Sequence, residues 1–153
     1  DTHGILDSRF FPHFKDSDEI WHAGDIGSIN VIDTLNEIAP TKAVYGNIDN
    51  HILRQIHKAT LLFKCEKIDV MMTHIGNYAK GIKEKIKLYE PKLFICGHSH
   101  ILKVMYDKKH NVLHMNPGAI GNYGIHKVKT IIKFTIEEES IKDLKIIEFP
   151  RKN

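Results

Sequence analysis

Histidine, aspartate and asparagine side chains recur at positions that suit metal binding. The chain has 11 histidines among 153 residues, and several of them directly follow short apolar stretches. The candidate ligands are Asp1, His3, Asp25, Asn47, His74, His98 and His100. Imidazole nitrogens mixed with carboxylate and amide oxygens suit Mn, Fe, Zn or Ni, and the donor types do not select among these metals.

The spacing of two pairs favours a shared site. Asp1 and His3 are two residues apart, and so are His98 and His100. In an extended chain, residues i and i+2 point to the same side, so each pair can aim two side chains at one place. Gly24, Gly46 and Gly97 directly precede candidate ligands, and glycine permits a sharp backbone turn at each of these positions.

Strands and helices that would carry these residues alternate over the first two thirds of the chain. The predicted strands are Glu19–Ala23, Lys42–Tyr45, Leu61–Phe63, Ile68–Met72 and Leu93–Cys96. Apolar residues recurring at helical steps predict helices over Ser28–Ala39 and Ala79–Glu90. Most candidate ligands follow the predicted strands, and ligands of α/β sheets bind at the carboxyl ends of strands.

The last third of the chain has a different pattern, typical of antiparallel strands. A hairpin is predicted over Ile101–Met115, and a final strand over Leu144–Phe149. Between them the pattern has period two: Val128, Thr130, Ile132 and Phe134 face one way, and Lys127, Lys129 and Lys133 face the other. The predicted fold class is α/β, a layered α/β/β/α sandwich of two mixed sheets flanked by helices, with the metal site at the strand C-terminal ends.

Composition excludes several classes of protein. Hydrophobic residues make up 42% and charged residues 27%, which excludes a disordered chain, and no apolar run approaches the roughly 18 residues of a membrane span. Two cysteines are too few for a disulfide framework. We therefore expect a single cytoplasmic domain over residues 1–153. The net charge of +3 permits a phosphate-bearing substrate, but no aromatic residues interleave with the lysines of the second helix, so nucleic acid is not supported as a partner.

The ordered motifs of this chain resemble those of the calcineurin-like metallophosphoesterases. They are Asp1-x-His3, Gly24-Asp25, Gly46-Asn47-x-Asp49, Thr73-His74 and Gly97-His98-x-His100. Asn116-Pro117-Gly118 is similar to an element of the small, single-domain phosphodiesterase branch. Each motif is weak by itself, but five in this order, each ending a predicted strand, form a specific signal.

The resemblance implies a site for two divalent metal ions, with Mn favoured and Ni, Zn, Fe or Mg as alternatives. One ion would be held by Asp1, His3 and His100, the other by Asn47, His74 and His98, and both by a bridging Asp25. The implied catalytic residues are Asp25, Asn47 and His74. A hydroxide between the two ions would attack phosphorus in line, so the expected activity is hydrolysis of a small phosphoester, most simply a phosphodiester.

Two positions depart from the family pattern. Ile48 stands where the broader superfamily usually has a histidine that protonates the leaving group, and a general acid contributes about 10²–10⁴-fold to the rate. His51 or His126 are candidate replacements, and His126 is also a candidate substrate contact. The family also has an apolar strand before the first motif, so we expect a strand of about 5–8 residues directly before Asp1.

Alternatives remain for several residues and for the function. His22 and His114 are expected to be packed side chains or residues that orient a ligand. The same fold used as a protein-binding scaffold without catalysis is an alternative to the enzyme, and a phosphomonoesterase or nucleotidase is another. A homo-oligomer also stays open.

Overall fold

Strands and short helices alternate along the chain as the pattern predicts. The computed structural model describes residues 1–77 and 81–151. The strands are β1 (Ile20–His22), β2 (Thr41–Ala43), β3 (Thr60–Cys65), β4 (Ile68–Thr73), β5 (Leu93–Ile95), β6 (Leu102–Asp107), β7 (Val112–Pro117), β8 (Val128–Glu137) and β9 (Ser140–Pro150). The helices are α1 (Phe11–Phe14), α2 (Ile29–Ile38), α3 (His51–Ile56) and α4 (Ile82–Tyr89), and a 3-10 turn (Ser8–Phe10) precedes α1.

The strands form a layered, mixed α/β fold, which confirms the predicted fold class. The largest sheet has the order β3-β4-β5-β7-β6, in which β4, β5 and β7 run parallel and the outer strands are antiparallel. The facing layer consists of the parallel pair β1-β2 and the antiparallel pair β8-β9. Because β4 and β5 are parallel neighbours, the residues that follow them meet at one edge of the sheet.

Three apolar clusters hold these layers together. Ile32 and Leu35 of α2 pack with Ile20 of β1, and the Ser28 side chain caps the helix by accepting from the Asn30 amide. A second cluster lies between the sheets and includes Leu93 with partly buried residues of β8. In the third, α4 packs against β5. Helices α2 and α4 therefore each cover one face of a strand layer.

A cavity of about 580 Å³ separates β1 from β8 in the facing layer. Its walls come from Asp1, the stretch 20–23, the stretch 130–136 and the core residues Ile95 and Met115. Among the described residues, β1 pairs only with β2 and β8 only with β9. The strand expected before Asp1 stays a prediction, and this cavity is the space that such a strand would enter.

Several element boundaries differ from those predicted. The helix expected over Ala79–Glu90 is described as α4, whereas its predicted start at Ala79 and Lys80 lies outside the described residues. The final strand begins at Ser140 rather than Leu144. The prediction missed α3, whose six residues are too few to show helical periodicity, although Asn50 caps it through the Leu53 amide.

The lysine face of β8, which the period-two pattern predicts, is covered by another segment at Lys129. Lys129 is 4% exposed, and its Nζ lies 3.0 Å from Oδ2 of Asp7. Arg9 donates to the same carboxylate. Lys129 is buried because the 3-10 turn that carries Arg9 lies across this face of β8. A period-two pattern identifies the two faces of a strand, but it does not show that a distant loop will cover the polar one.

None of the helices in residues 1–77 and 81–151 has the length and apolar character that crossing a bilayer requires.

Candidate metal centre

The structure brings the predicted ligands together at the ends of the strands. Asp25 follows β1, His74 follows β4, and both histidines of the Gly97–His100 turn follow β5. Two groups have donor atoms that all lie within 4.8 Å of one another. The first group is Asp1, His3 and His100, and the second group is Asp25, His74 and His98. Asn47 lies beside the second group, so seven residues from five segments share one edge of the fold.

The first group contains buried polar atoms without a hydrogen-bond partner. Oδ1 of Asp1 lies 3.4 Å from Nε2 of His100, and Nε2 of His3 lies 3.5 Å from Oδ2 of Asp25. Among the described residues, Asp1 Oδ1 and His3 Nε2 make no hydrogen bond although both are buried. Leaving such atoms unpartnered costs about 1–3 kcal/mol each. A cation bound among them would remove that penalty, so these residues fit a metal ion.

In the second group, a ring nitrogen of His74 lies close to side-chain oxygens of Asp25 and Asn47. Nδ1 of His74 lies 2.8 Å from the Ala23 carbonyl, which only accepts, so Nδ1 carries the ring proton. Nε2 is therefore the nitrogen left to bind a metal, and it lies 2.9 Å from Asn47 Oδ1 and 3.1 Å from Asp25 Oδ1. Ligand atoms about 2.1 Å from one ion and at right angles are about 3.0 Å apart, so this spacing suits a divalent metal.

Asp25 lies between the two groups. One oxygen of its carboxylate faces His3 and the other faces His74. Burial raises the pKa of Asp25, but its hydrogen bonds with His74 and the Ile48 amide outweigh burial and lower it to about 2. A Cβ on Gly46 would lie 2.1 Å from Oδ1 of Asp25, so glycine is required there by the close approach of the two turns.

Asp49 and Arg54 hold the second group in place, and sequence reasoning assigned neither of them a role. The buried Asp49 carboxylate accepts from the amides of Ile26, Gly27 and Gly46, at 3.1, 2.7 and 2.7 Å. The Arg54 guanidinium donates to the carbonyl oxygens of Gly46, Asn47 and Asp49. The signal for Asp49 was present in the Gly-Asn-x-Asp motif, whereas the role of Arg54 depends on the unpredicted helix α3.

The first group is held by the loop that follows β7. His126 Nδ1 lies 3.2 Å from His100 Nδ1, and His126 Nε2 lies 3.1 Å from the Gly121 carbonyl. Burial lowers the pKa of both rings, so both are neutral at pH 7. His126 donates to Gly121 and accepts from His100 Nδ1, which leaves the lone pair of His100 on Nε2, facing Asp1.

The expectation that His126 contacts substrate stays a prediction, since its described bonds are to His100 and Gly121. His51, the other candidate acid, is an exposed residue at the start of α3.

Two further histidines are packed close to the site. His22 lies 3.0 Å from Thr2 Oγ1 and accepts from the Gly24 amide, so it links the turns that carry Asp1 and Asp25. His114 is buried on β7, with Nε2 3.1 Å from Sγ of Cys96. Burial raises the pKa of the Cys96 thiol to about 11 and lowers the pKa of His114 to about 4. Both histidines are therefore buried packing residues beside the ligand turns.

Four candidate ligands have left-handed backbone conformations. The φ angles of His3, Asp25, His98 and His100 are 49°, 52°, 67° and 57°. Non-glycine residues rarely adopt this region, and where they do they cluster at functional sites that the surrounding structure holds in place. The strain supports a functional role for these turns independently of residue type.

A family model confirms the resemblance carried by the motifs. Residues 1–139 match the calcineurin-like phosphoesterase superfamily domain. The chain belongs to that superfamily. This family binds divalent metals, and the two groups described above are its candidate ligands here.

Curated relatives in two archaea carry the same general name. A probable metallophosphoesterase of Methanothermobacter thermautotrophicus is 28% identical over 113 residues, which cover 71% of this chain and 64% of the relative. A probable metallophosphoesterase of Methanocaldococcus jannaschii is 29% identical over 149 residues, covering 91% of this chain and 74% of the relative. The chain thus spans less than two thirds of the length of the first relative.

Solved structures share the fold at lower identity. An archaeal phosphodiesterase matches with a TM-score of 0.75 and 22% identity, over 92% of this chain and 90% of its own. Vps29 of Entamoeba histolytica, in a structure complexed with zinc, matches with a TM-score of 0.75 and 15% identity, over 97% and 91%. At these identities the likeness concerns the fold alone.

Proposed function

We propose that this phosphoesterase-family chain is a phosphodiesterase that works with two divalent metal ions. The observation that carries the proposal is the placement of Asp25, whose two carboxylate oxygens face the two groups of candidate ligands. A carboxylate in that position suits two cations roughly 3.5–4 Å apart, which would otherwise repel each other. The first group and Asp25 would hold one ion, and Asn47 with the second group would hold the other.

The residues of the chain would contribute mainly by fixing the geometry of this centre. Two divalent ions bound here would supply a hydroxide nucleophile near neutral pH and stabilise negative charge on the phosphoryl oxygens. Asn47 and His74 orient toward the same point as Asp25, and we assign all three a catalytic role. His126 fixes the ring of His100 and thereby the direction of its lone pair.

The absence of a proton donor at position 48 restricts the kinds of phosphoester that the centre can hydrolyse well. Ile48 is 45% exposed beside Asp25, where a histidine could protonate a leaving group. Without that proton, diesters with good leaving groups are favoured over substrates whose leaving group must be protonated. This argument supports a phosphodiesterase over a phosphomonoesterase.

The fold by itself does not decide between an enzyme and a binding scaffold, since it is shared by proteins named as a phosphodiesterase and as Vps29. The retained ligand set favours the enzyme. A scaffold has no need for seven aligned donors, four of them on strained or buried turns.

Metal reconstitution tests the proposal. Metal-stripped protein is supplied separately with Mn, Ni, Zn, Fe or Mg and assayed with bis(4-nitrophenyl) phosphate and with 4-nitrophenyl phosphate. We expect a transition metal, Mn first among them, to restore hydrolysis of the diester. Asp25→Asn is expected to lower kcat/KM by about 10²- to 10³-fold, whereas Asp33→Asn, at an exposed position on α2, serves as the matched control.

Two outcomes would contradict the proposal. Faster hydrolysis of the monoester would indicate a phosphomonoesterase. Stoichiometric metal binding with no turnover of either ester would favour the scaffold and direct the search to protein partners.

A further inference from the structure

The loop after β7 places an exposed aromatic ring beside the first group. The Tyr123 ring stacks on His3, with centroids 5.5 Å apart and planes 25° apart. Tyr123 is nevertheless 67% exposed, so most of its surface is open to solvent. Buried aromatic rings stabilise a core, but an exposed ring stacked at the mouth of a polar site offers a flat surface on which a planar ligand can pack.

A groove of about 560 Å³ lies next to the loop that carries this ring. It is lined by Ile5, Leu6, Asp7, Ser8, Arg9, Asn122 and Lys129. Ile5 is two residues from His3 and Asn122 is adjacent to Tyr123, so chain neighbours of both stacked residues line the groove. Its volume lies within the range of about 300–1,000 Å³ that is typical of ligand pockets.

The charges of the groove suit a neutral ring attached to a phosphate. Asp7 accepts from both Arg9, at 2.6 Å, and Lys129, at 3.0 Å. Two cations against one carboxylate leave a net charge of +1, which favours an anionic phosphoester nearby without demanding a second anionic group. Ile5 is 41% exposed and offers apolar contact, while the amide of Asn122 can bond to ring heteroatoms.

We propose that Tyr123 is a specificity-determining residue that stacks on the planar heteroaromatic group of a phosphodiester substrate, such as the base of a nucleoside ester. The group would lie between Tyr123 and the groove lined by Ile5 and Asn122 while the phosphate occupies the metal centre. This inference rests on the proposed function and names the substrate class for the same site. Stacking of a base on an aromatic side chain contributes about 5- to 100-fold in affinity.

Two diesters with one leaving group test the proposal by kinetics. Mn-loaded protein is assayed with thymidine 5′-(4-nitrophenyl) phosphate and with methyl 4-nitrophenyl phosphate, which differ only in the group that remains on phosphorus. We expect kcat/KM to favour the thymidine ester. Tyr123→Ala should lower this preference by about 5- to 100-fold, whereas Tyr123→Phe should retain it. Tyr106→Ala, at an exposed tyrosine on β6, is the control and should also retain it.

Binding measurements separate this proposal from the proposed function. The affinities of thymidine 5′-phosphate, phenyl phosphate and methyl phosphate are measured by calorimetry on the same Mn-loaded proteins. Tighter binding of thymidine 5′-phosphate that Tyr123→Ala abolishes supports the role of Tyr123 even if neither diester is hydrolysed. A preference for phenyl phosphate equal to that for thymidine 5′-phosphate would show that an aromatic ring suffices and would overturn the heteroaromatic assignment.

Other outcomes overturn the proposal while leaving the phosphodiesterase intact. Turnover of both diesters with equal kcat/KM, together with equal affinity for the three monoesters, would exclude a ring-binding site. An equal loss of preference in Tyr123→Phe and Tyr123→Ala would assign the effect to the hydroxyl group and not to stacking.

Discussion

The two candidate metal groups differ in what holds their ligands. In the second group, His74 is fixed by a carbonyl of the β1 segment, and the turns that carry Asp25 and Asn47 are joined by the buried Asp49. In the first group, His100 depends on a ring from an irregular loop, and Asp1 lines the cavity between β1 and β8. The distances between candidate ligand atoms are also shorter in the second group. They are about 3 Å around His74, and 3.4–3.5 Å for the carboxylate contacts of His3 and His100.

This difference teaches that the two halves of one centre need not be equally preorganised. The second group is built on turns whose main-chain amides are satisfied by a buried carboxylate, so its geometry is set when the core folds. The first group depends on a surface loop, and loops are more mobile than the elements they connect. We therefore expect the first group to bind its metal more weakly.

The largest expected effect comes from filling the cavity next to the first group. A chain with five to eight apolar residues before Asp1 should be more stable than one that starts at Asp1, since a strand between β1 and β8 would bury apolar side chains and pair main-chain groups. We expect a gain on the order of 3–5 kcal/mol, or about 10 °C in Tm. A Gly/Ser extension of equal length is the control. Equal Tm values for both extensions would show that the cavity does not accept a strand.

Asp49→Asn should affect the second group selectively. The amide cannot accept with its nitrogen, so at least one of the amides of Ile26, Gly27 and Gly46 loses its partner. We expect a loss of about 2–4 kcal/mol in the free energy of unfolding and weaker metal binding by the second group. Chemical denaturation measures the first effect and calorimetric metal titration the second. If the variant is as stable as wild type, Asp49 does not stabilise the turns that carry the second group.

His126→Ala should affect the first group selectively. Without the acceptor nitrogen of His126, the ring of His100 is less firmly held, and loss of such a partner typically lowers metal affinity by about 10- to 100-fold. Metal analysis at limiting Mn should show one ion retained and the other lost. His51→Ala, at an exposed histidine, should keep both ions. Equal loss of both ions in His126→Ala would mean that the two groups are not separable.

Lowering the pH should reduce the stability of the protein through the buried His114 on β7. Burial lowers the pKa of His114 to about 4, whereas an unfolded histidine titrates near 6.5. The unfolded chain therefore binds more protons between these values, so the contribution of His114 is complete above about pH 6.5 and stability falls as the pH falls toward 4. Between pH 7 and 5.5, wild type should lose about 1 kcal/mol more than His114→Gln. Parallel pH profiles of the two proteins would contradict this assignment.

Sequence patterns predicted the helices and strands whose hydrophobic periodicity and end signals are encoded in neighbouring residues. The helix over Ser28–Ala39 and the strand over Leu93–Cys96 have clear periodicity and clear ends, and the structure contains both. The ligands were recognised because each belongs to a short motif at a strand end, where chain direction alone brings distant residues together.

What the sequence could not show depends on contacts between distant segments. Lys129 is buried only because the turn around Asp7 lies over it, and no local pattern encodes that contact. The pairing of His126 with His100 requires the exact path of the loop, as does the stacking of Tyr123 on His3. Arg54 was missed for a different reason, since the short helix that carries it has no periodic signal.

The left-handed backbone of four candidate ligands has a consequence for how this protein responds to metal supply. Each such residue costs on the order of 1 kcal/mol in the metal-free fold, and binding that only the folded state can achieve offsets this by mass action. We expect the metal-free chain to unfold more readily and to be degraded sooner when transition metals are scarce. Abundance of the protein would then follow the availability of its ion, without any dedicated sensor.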